Sequence, residues 1–120
     1  MIDIFELMDD EDFAQDFQII RTSGQFQDEG EWVNAGESTI ERIGVIQPAK
    51  ASDIVNFLPE GERQKKTIAI YCAEDVVMSD GKGVQSDVIV WHGQRYRVAY
   101  SKHWQDHGYW FVLATGFNHG

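Results

Sequence analysis

The 120-residue chain contains one cysteine and two prolines. A lone thiol, Cys72, excludes a disulfide within the chain. Its place in the apolar run TIAIYCA reads as a buried strand thiol and not as a nucleophile. Bases are also scarce, with ten Lys and Arg against twenty acids and a formal charge of −10. A protein so poor in bases gains little from counterion release and is not expected to grip nucleic acid tightly. No apolar run approaches the roughly 20 residues that cross a bilayer as a helix, so no membrane partner is expected. The start carries no basic segment ahead of an apolar stretch, which favours a protein made and kept in the cytoplasm, or in something assembled there. A glycine-rich phosphate loop is missing, since SDGKG sits between strands and not before a helix. Gly-x-Ser-x-Gly and a paired Cys–His signal are missing too. Nothing in the sequence demands an enzyme, and no cofactor is expected.

What is present is unevenly placed. Residues 1–31 hold ten acids and a single base, Arg21, whereas residues 32–120 hold ten acids and nine bases. The acidity therefore belongs to a leader attached to a nearly neutral body. Within the leader, Ile2, Phe5 and Met8 recur at helical spacing and the acidic run Asp9 to Asp12 follows. This predicts an acidic N-terminal arm over residues 1–16, presenting Ile2, Phe5 and Met8 to a partner, ahead of one domain over residues 17–120. The acidic run lacks the glycine and terminal glutamate of a calcium loop. Acidic surface beside DNA repels phosphates and lets a duplex slide.

Alternation dominates the body. FQIIRT (17–22) reads as a strand, SGQFQDEGE as a turn-rich connection, and WVNAG as a second strand or arm. STIERIGVIQPA predicts a long strand, bent or bulged at Gly44 and ended by Pro48. In ASDIVNFLPEG the period changes, predicting a one- to two-turn helix capped by Ser52, with Ile54, Val55 and Leu58 inward and Pro59 and Gly61 stopping it. TIAIYCA is a strand. EDVVMSDGKGVQS predicts an exposed, mobile loop over residues 74–86, with Asp80 and Lys82 at a contact with a neighbour or a channel. KHWQDHG reads as a corner and YWFVLAT as a last strand. The fold class expected is mainly β: a small antiparallel barrel or sandwich of about six strands with one short helix.

The stretch DVIVWHGQRYRVAY (87–100) is the clearest hairpin. His92-Gly93 supplies a two-residue turn, with glycine taking positive φ and histidine tolerating it. A two-residue loop pairs Trp91 with Gln94, Val90 with Arg95 and Ile89 with Tyr96, and sets Asp87 against Val98. Ile89, Trp91, Tyr96, Val98 and Tyr100 then share a core face. Val88, Val90, Arg95, Arg97 and Ala99 share the other. Arginine among apolar neighbours suits a protein-contact face, so Arg95 and Arg97 are candidate interface residues. The alternative for that face is ordinary solvated surface.

Metal ligation has one candidate, HWQDH, where His103 and His107 flank Asp106, with His92 and His119 elsewhere. Two histidines four apart face together only on a helix, and the strands flanking this segment leave room only for a turn. No metal is expected. A small metal-dependent hydrolase using His92, His103 and His107 is the rival enzyme reading.

The order of features, GVIQPAKASDIVNFLPEGERQKKTIAIYC, then SDVIVWHGQRYRVAYSKHW, then GYWFVLATG, resembles the head–tail joining (head-closure, or neck) proteins of tailed bacteriophages. The resemblance covers about residues 38–116. It rests on the strand ending at Pro48, the Gly61-Glu62-Arg63 turn after a short helix, the IAIYC strand, and the spacing of Asp87, Gly93, Tyr96 and Val98. It implies a small β-barrel subunit that assembles as a homo-oligomeric ring between portal or connector proteins and tail proteins, with DNA passing through the middle. Its place would be the virion neck, and it implies no catalytic residues. A tail terminator or tail-completion ring protein is the alternative within the same class.

Overall fold

The structure is a computed structural model and describes residues 14–26, 32–79 and 85–117. Six strands, β1 (Ala14–Phe26), β2 (Trp32–Pro48), β3 (Thr67–Cys72), β4 (Val88–Trp91), β5 (Gln94–Trp104) and β6 (Tyr109–Gly116), close an antiparallel barrel in the order β1-β2-β3-β6-β5-β4. Among the described residues one α-helix, α1 (Ala51–Phe57), links β2 to β3. The expected mainly-β class with one short helix is the observed one, and closure selects the barrel over the sandwich.

Two apolar layers hold it together. Inward positions such as Phe17, Ile19, Ile46, Ile70, Ile89 and Val112 fill the interior. Outside the wall, Val45, Tyr71, Phe111 and Leu113 pack under Ile54, Phe57 and Leu58. All six residues of β3 are therefore buried, which is why TIAIYC is apolar after Thr67 instead of alternating. The helix departs from expectation in two ways. Its N-cap is Lys50, without a side-chain bond, so Ser52 lies inside the first turn. Val55 is 57% exposed, because one helical step of about 100° from Ile54 turns it away, while Phe57 and Leu58 return to the inner face. Arg63 closes the helix end: Nε donates to the Leu58 carbonyl at 3.1 Å and Nη2 to that of Val55 at 3.2 Å.

The largest difference lies at the start of the barrel. SGQF is not part of a turn-rich connection; it continues β1, and WVNAG joins STIERIGVIQP in one 17-residue β2. The two strands pair from Ala14↔Val45 to Phe26↔Trp32. β4 joins β1 only at residues 18–20, and β3 joins β2 only at residues 44–48. Beyond those limits the strands form a two-stranded ribbon that leaves the barrel, consistent with a long axis of 51 Å against 31 and 29 Å. The register shift sits between Ser23 and Gly24, opposite Gly36 and Asn34, and not at Gly44. Gly44 is regular but tightly placed: a Cβ there would sit 2.8 Å from the Tyr71 carbonyl oxygen and 3.1 Å from the Cys72 Cβ.

The 87–100 hairpin pairs as expected, with Ile89↔Tyr96, Val90↔Arg95 and Trp91↔Gln94. The Val98 N–H donates to the Asp87 carbonyl at 3.1 Å. His92 (φ 51°) and Gly93 (φ 73°) both take the left-handed region that a type I′ turn requires. Tyr100 is the exception. A bulge between Val98 and Tyr100 inserts Ala99 and inverts the alternation. Tyr100 therefore lies outside the barrel and stacks on Phe57 at 4.7 Å.

Candidate functional site

Parity along the strands locates the first unusual cluster. Phe17 and Ile19 point inward on β1, so Arg21 does as well; Arg42 shares the inward parity of Ile46 on β2, and Asp87 that of Ile89. Asp87 is 1% exposed. Arg21 donates to both of its carboxylate oxygens, from Nε at 3.0 Å and Nη2 at 2.8 Å. The Val77 N–H donates to the same carboxylate at 2.8 Å. Arg21 also pairs with Asp75 at 3.4 Å. These contacts, the Asp87 hydrogen bond first, raise its pKa further above the ordinary guanidinium value. Arg42 is buried, with Nη2 3.5 Å from Asp75. Its Nη1 is 3.1 Å from a Glu74 oxygen, yet neither Nη1 nor Nε aims an N–H at an acceptor. Val76, 2% exposed, plugs the same end of the interior, and Ser101 Oγ holds its carbonyl at 2.7 Å. The segment expected as a free loop over residues 74–86 is thus pinned at Val76 and Val77. Asp80 and Lys82, the contact residues expected in it, lie outside the described residues.

At the opposite end, beside the His92-Gly93 turn, is the arginine face. Val88 and Val90 are half-buried across from Arg97 and Arg95, whose heads are exposed. Arg97 lies 5.1 Å from the Phe117 ring centroid, within cation–π range. Next to it opens a groove of about 470 Å³, bounded by Pro59, Glu62 and Lys65 on one side and by residues 97–99 and 115–117 on the other. Glu62 is committed to Lys65 at 3.0 Å and to Thr115 Oγ1 at 3.1 Å. The exposed charge facing the groove is therefore Arg97. Ile2, Phe5 and Met8 lie outside the described residues.

Residues 13–115 match the family described as E217 collar protein gp28. The chain belongs to that family. The match begins one residue before β1 and ends one residue before the end of β6, so it takes in all of the barrel but Gly116, and the ribbon. Residues 1–12, with most of the acidic arm, precede it. The chain is also similar to an uncharacterized protein of Xylella fastidiosa (strain 9a5c), 26% identical over 117 residues that cover 97% of this chain and 85% of that one. Membership in a phage collar family agrees with the neck resemblance at the level of the virion region.

In this collar-family barrel the described histidines do not converge. His92 stacks on Trp91 at 4.1 Å in the hairpin turn, and His103 stacks on Trp110 at 4.6 Å near the far end of β5. His107 leans on Trp104 and Tyr109 at 5.8 and 5.9 Å. Among the described residues, no three His, Cys, Asp or Glu side chains gather as a metal site; His119 lies outside them. Cys72 is buried as expected, its Sγ donating to the Glu74 carbonyl at 3.4 Å, and burial pushes its pKa up to about 11. Sequence reasoning missed the Arg21–Asp87 pair. The available signal was a charged residue on the core-facing parity of an apolar strand, which requires a buried partner.

Proposed function

We propose that this chain is a structural neck subunit that joins the DNA-filled head, on its portal side, to the tail as one member of a ring around the DNA channel, and that it catalyses no reaction. The collar-family match across the barrel carries this reading. Charge placement supports it: a nearly neutral body with an acidic leader suits a wall past which DNA slides without being gripped. The ribbon supports it as well. A two-stranded ribbon is marginal on its own, and no third strand pairs with residues 21–26 or 32–43 among the described residues. Such an arm is suited to a neighbouring subunit or to the portal and tail proteins, and a ring needs two different contact patches on each copy.

In vitro complementation tests the proposal. Purified protein added to filled heads that lack their neck should restore joining to tails, followed as infectious particles. Removing residues 1–12 should leave the barrel folded and lower the yield. Restoration of defective tails instead of defective heads would identify a tail-completion protein, and no restoration of either would overturn the neck assignment.

A further inference from the structure

Closure of the sheet fixes which strands stand away from each other. In the order β1-β2-β3-β6-β5-β4, strand β2 lies three steps from β5 by either route, so the two occupy opposite walls of the barrel. Their outward side chains carry opposite charge. On β2, outward parity gives Glu37, Thr39, Glu41 and Ile43, all exposed, with the exposed Asp16 of β1 paired to Ile43. Arg42, the base in this stretch, turns inward and is buried. On β5, outward parity gives the exposed Arg95 and Arg97, paired with Val90 and Val88 of β4. We propose that these walls are the two halves of one head-to-tail contact between copies of this chain, the Glu37–Ile43 face of one subunit docking on the Arg95–Arg97 face of the next.

One row of paired residues, Glu41↔Gln18↔Val90↔Arg95, runs from the acidic wall to the arginine wall. It spans three strand spacings, about 14 Å around the barrel, so the two charges cannot meet within one copy. Glu41 accepts a hydrogen bond from the Gln18 amide at 2.7 Å, which leaves its charge in place. Glu62, the acid among the lining residues of the groove beside Arg97, is held by Lys65. An incoming carboxylate therefore meets Arg97 without opposition. Apolar surface matches as well. Ile43 is 60% exposed among acids, and Val88 and Val90 are half-buried beside the arginines, so each patch has an apolar centre with a charged border. Pairing either wall with its own copy would set acid on acid or arginine on arginine. The contact is thus heterologous, and every copy that docks leaves its other wall free for a further copy. Closure of that series into a ring rests on the neck reading; the pairwise contact does not.

Two full-length proteins in a Cys72→Ala background test it, one carrying Thr39→Cys and the other Val90→Cys, with a tag on one to separate them by size. Mixed at high concentration with a short dimaleimide, they should give mixed pairs severalfold above like pairs. Adding Arg95→Glu and Arg97→Glu to the Val90→Cys protein should lower the mixed yield by about tenfold, the effect of reversing two exposed ion pairs. Adding Glu37→Arg and Glu41→Arg to the Thr39→Cys protein should then restore it. The second reversal is on the other molecule, so recovery cannot be a repair of folding. Like pairs in equal amount, an absence of mixed pairs, or a loss that the opposite reversal fails to restore would each overturn the proposal. Complementation of neckless heads separates it from the neck reading. Mixed pairs from a protein that joins no heads support the contact and remove that reading. Undiminished joining by the Arg95→Glu, Arg97→Glu protein overturns the contact and leaves the reading in place.

Discussion

Along β1 the inward side chains Phe17 and Ile19 belong to the apolar core, whereas Arg21, two residues on, meets a carboxylate. The same division crosses the barrel. Near the His92-Gly93 turn the interior is filled by Ile89, Tyr96 and Ile68, and at the other end by Arg21, Arg42 and Asp87 around Val76. The apolar end gains stability from area removed from water and tolerates any chemistry that fills the volume. The charged end gains little from its ion pairs once desolvation is counted, but it demands particular partners. That end also roots the ribbon and the 74–79 segment. The comparison teaches that one half of the interior sets how stable the barrel is, and the other half sets where its projecting parts are held.

The largest effect should come from the apolar half. Tyr96 is 1% exposed, and its hydroxyl donates to Gln94 at 2.9 Å. Tyr96→Ala should cost about 3–5 kcal/mol in denaturant unfolding, the range for emptying a large aromatic site. A loss near 1 kcal/mol would mean that the interior collapses around the gap and is not the stable half. Asp87→Ala comes next, at about 2–3 kcal/mol. This is below the cost of breaking a fully buried pair, because Arg21 is partly solvated. Arg21→Leu combined with Asp87→Leu should recover much of that loss, and a double-mutant cycle reads the coupling directly. Losses that simply add would show that the pair is not the unit it looks to be.

This contrast also marks how much was legible in the sequence. The hairpin was readable because turn chemistry and period-2 alternation agree from Val88 to Val98. About six strands were readable in this way, but barrel and sandwich stayed open until closure of the sheet decided between them. Tyr100 was misassigned because a bulge at Ala99 leaves no local signature, and one inserted residue inverts every later side chain. The ribbon was hidden because Ser23, Gly24 and Gln25 are turn-like residues that pairing with β2 overrides. The candidate site divides likewise. The outward placement of Arg95 and Arg97 was legible from alternation, whereas the groove depends on Phe117 and Pro59, far apart in sequence and adjacent only after folding.

Cys72 sits where the halves meet, packed with the apolar core while its thiol bonds to Glu74. Burial raises its pKa from 9.0 to about 11 and also raises those of Tyr71 and Tyr109. Each group is neutral when protonated and keeps its proton longer in the folded state, so the unfolded chain binds fewer protons above pH 9. Stability should be independent of these groups below pH 9 and fall as pH rises towards 11. The loss should be about 1–2 kcal/mol midway through that window. Cys72→Ala should flatten the slope in urea titrations across the window. An unchanged slope would assign the alkaline loss to the tyrosines instead.

The smallest effect should be at His92, at the tip of the apolar end. The residue has positive φ, and its ring stacks on Trp91 at 4.1 Å. Asparagine is the preferred residue ahead of glycine in a type I′ turn. His92→Asn therefore exchanges a ring contact for a better turn residue, and the two terms oppose each other. The net change should lie within about 0.5 kcal/mol of zero, as for substitutions away from core and network. A loss above 2 kcal/mol on the same unfolding curve would mean that the imidazole is held for a reason beyond the turn. The arginine face beside it would then have to be rebuilt around His92.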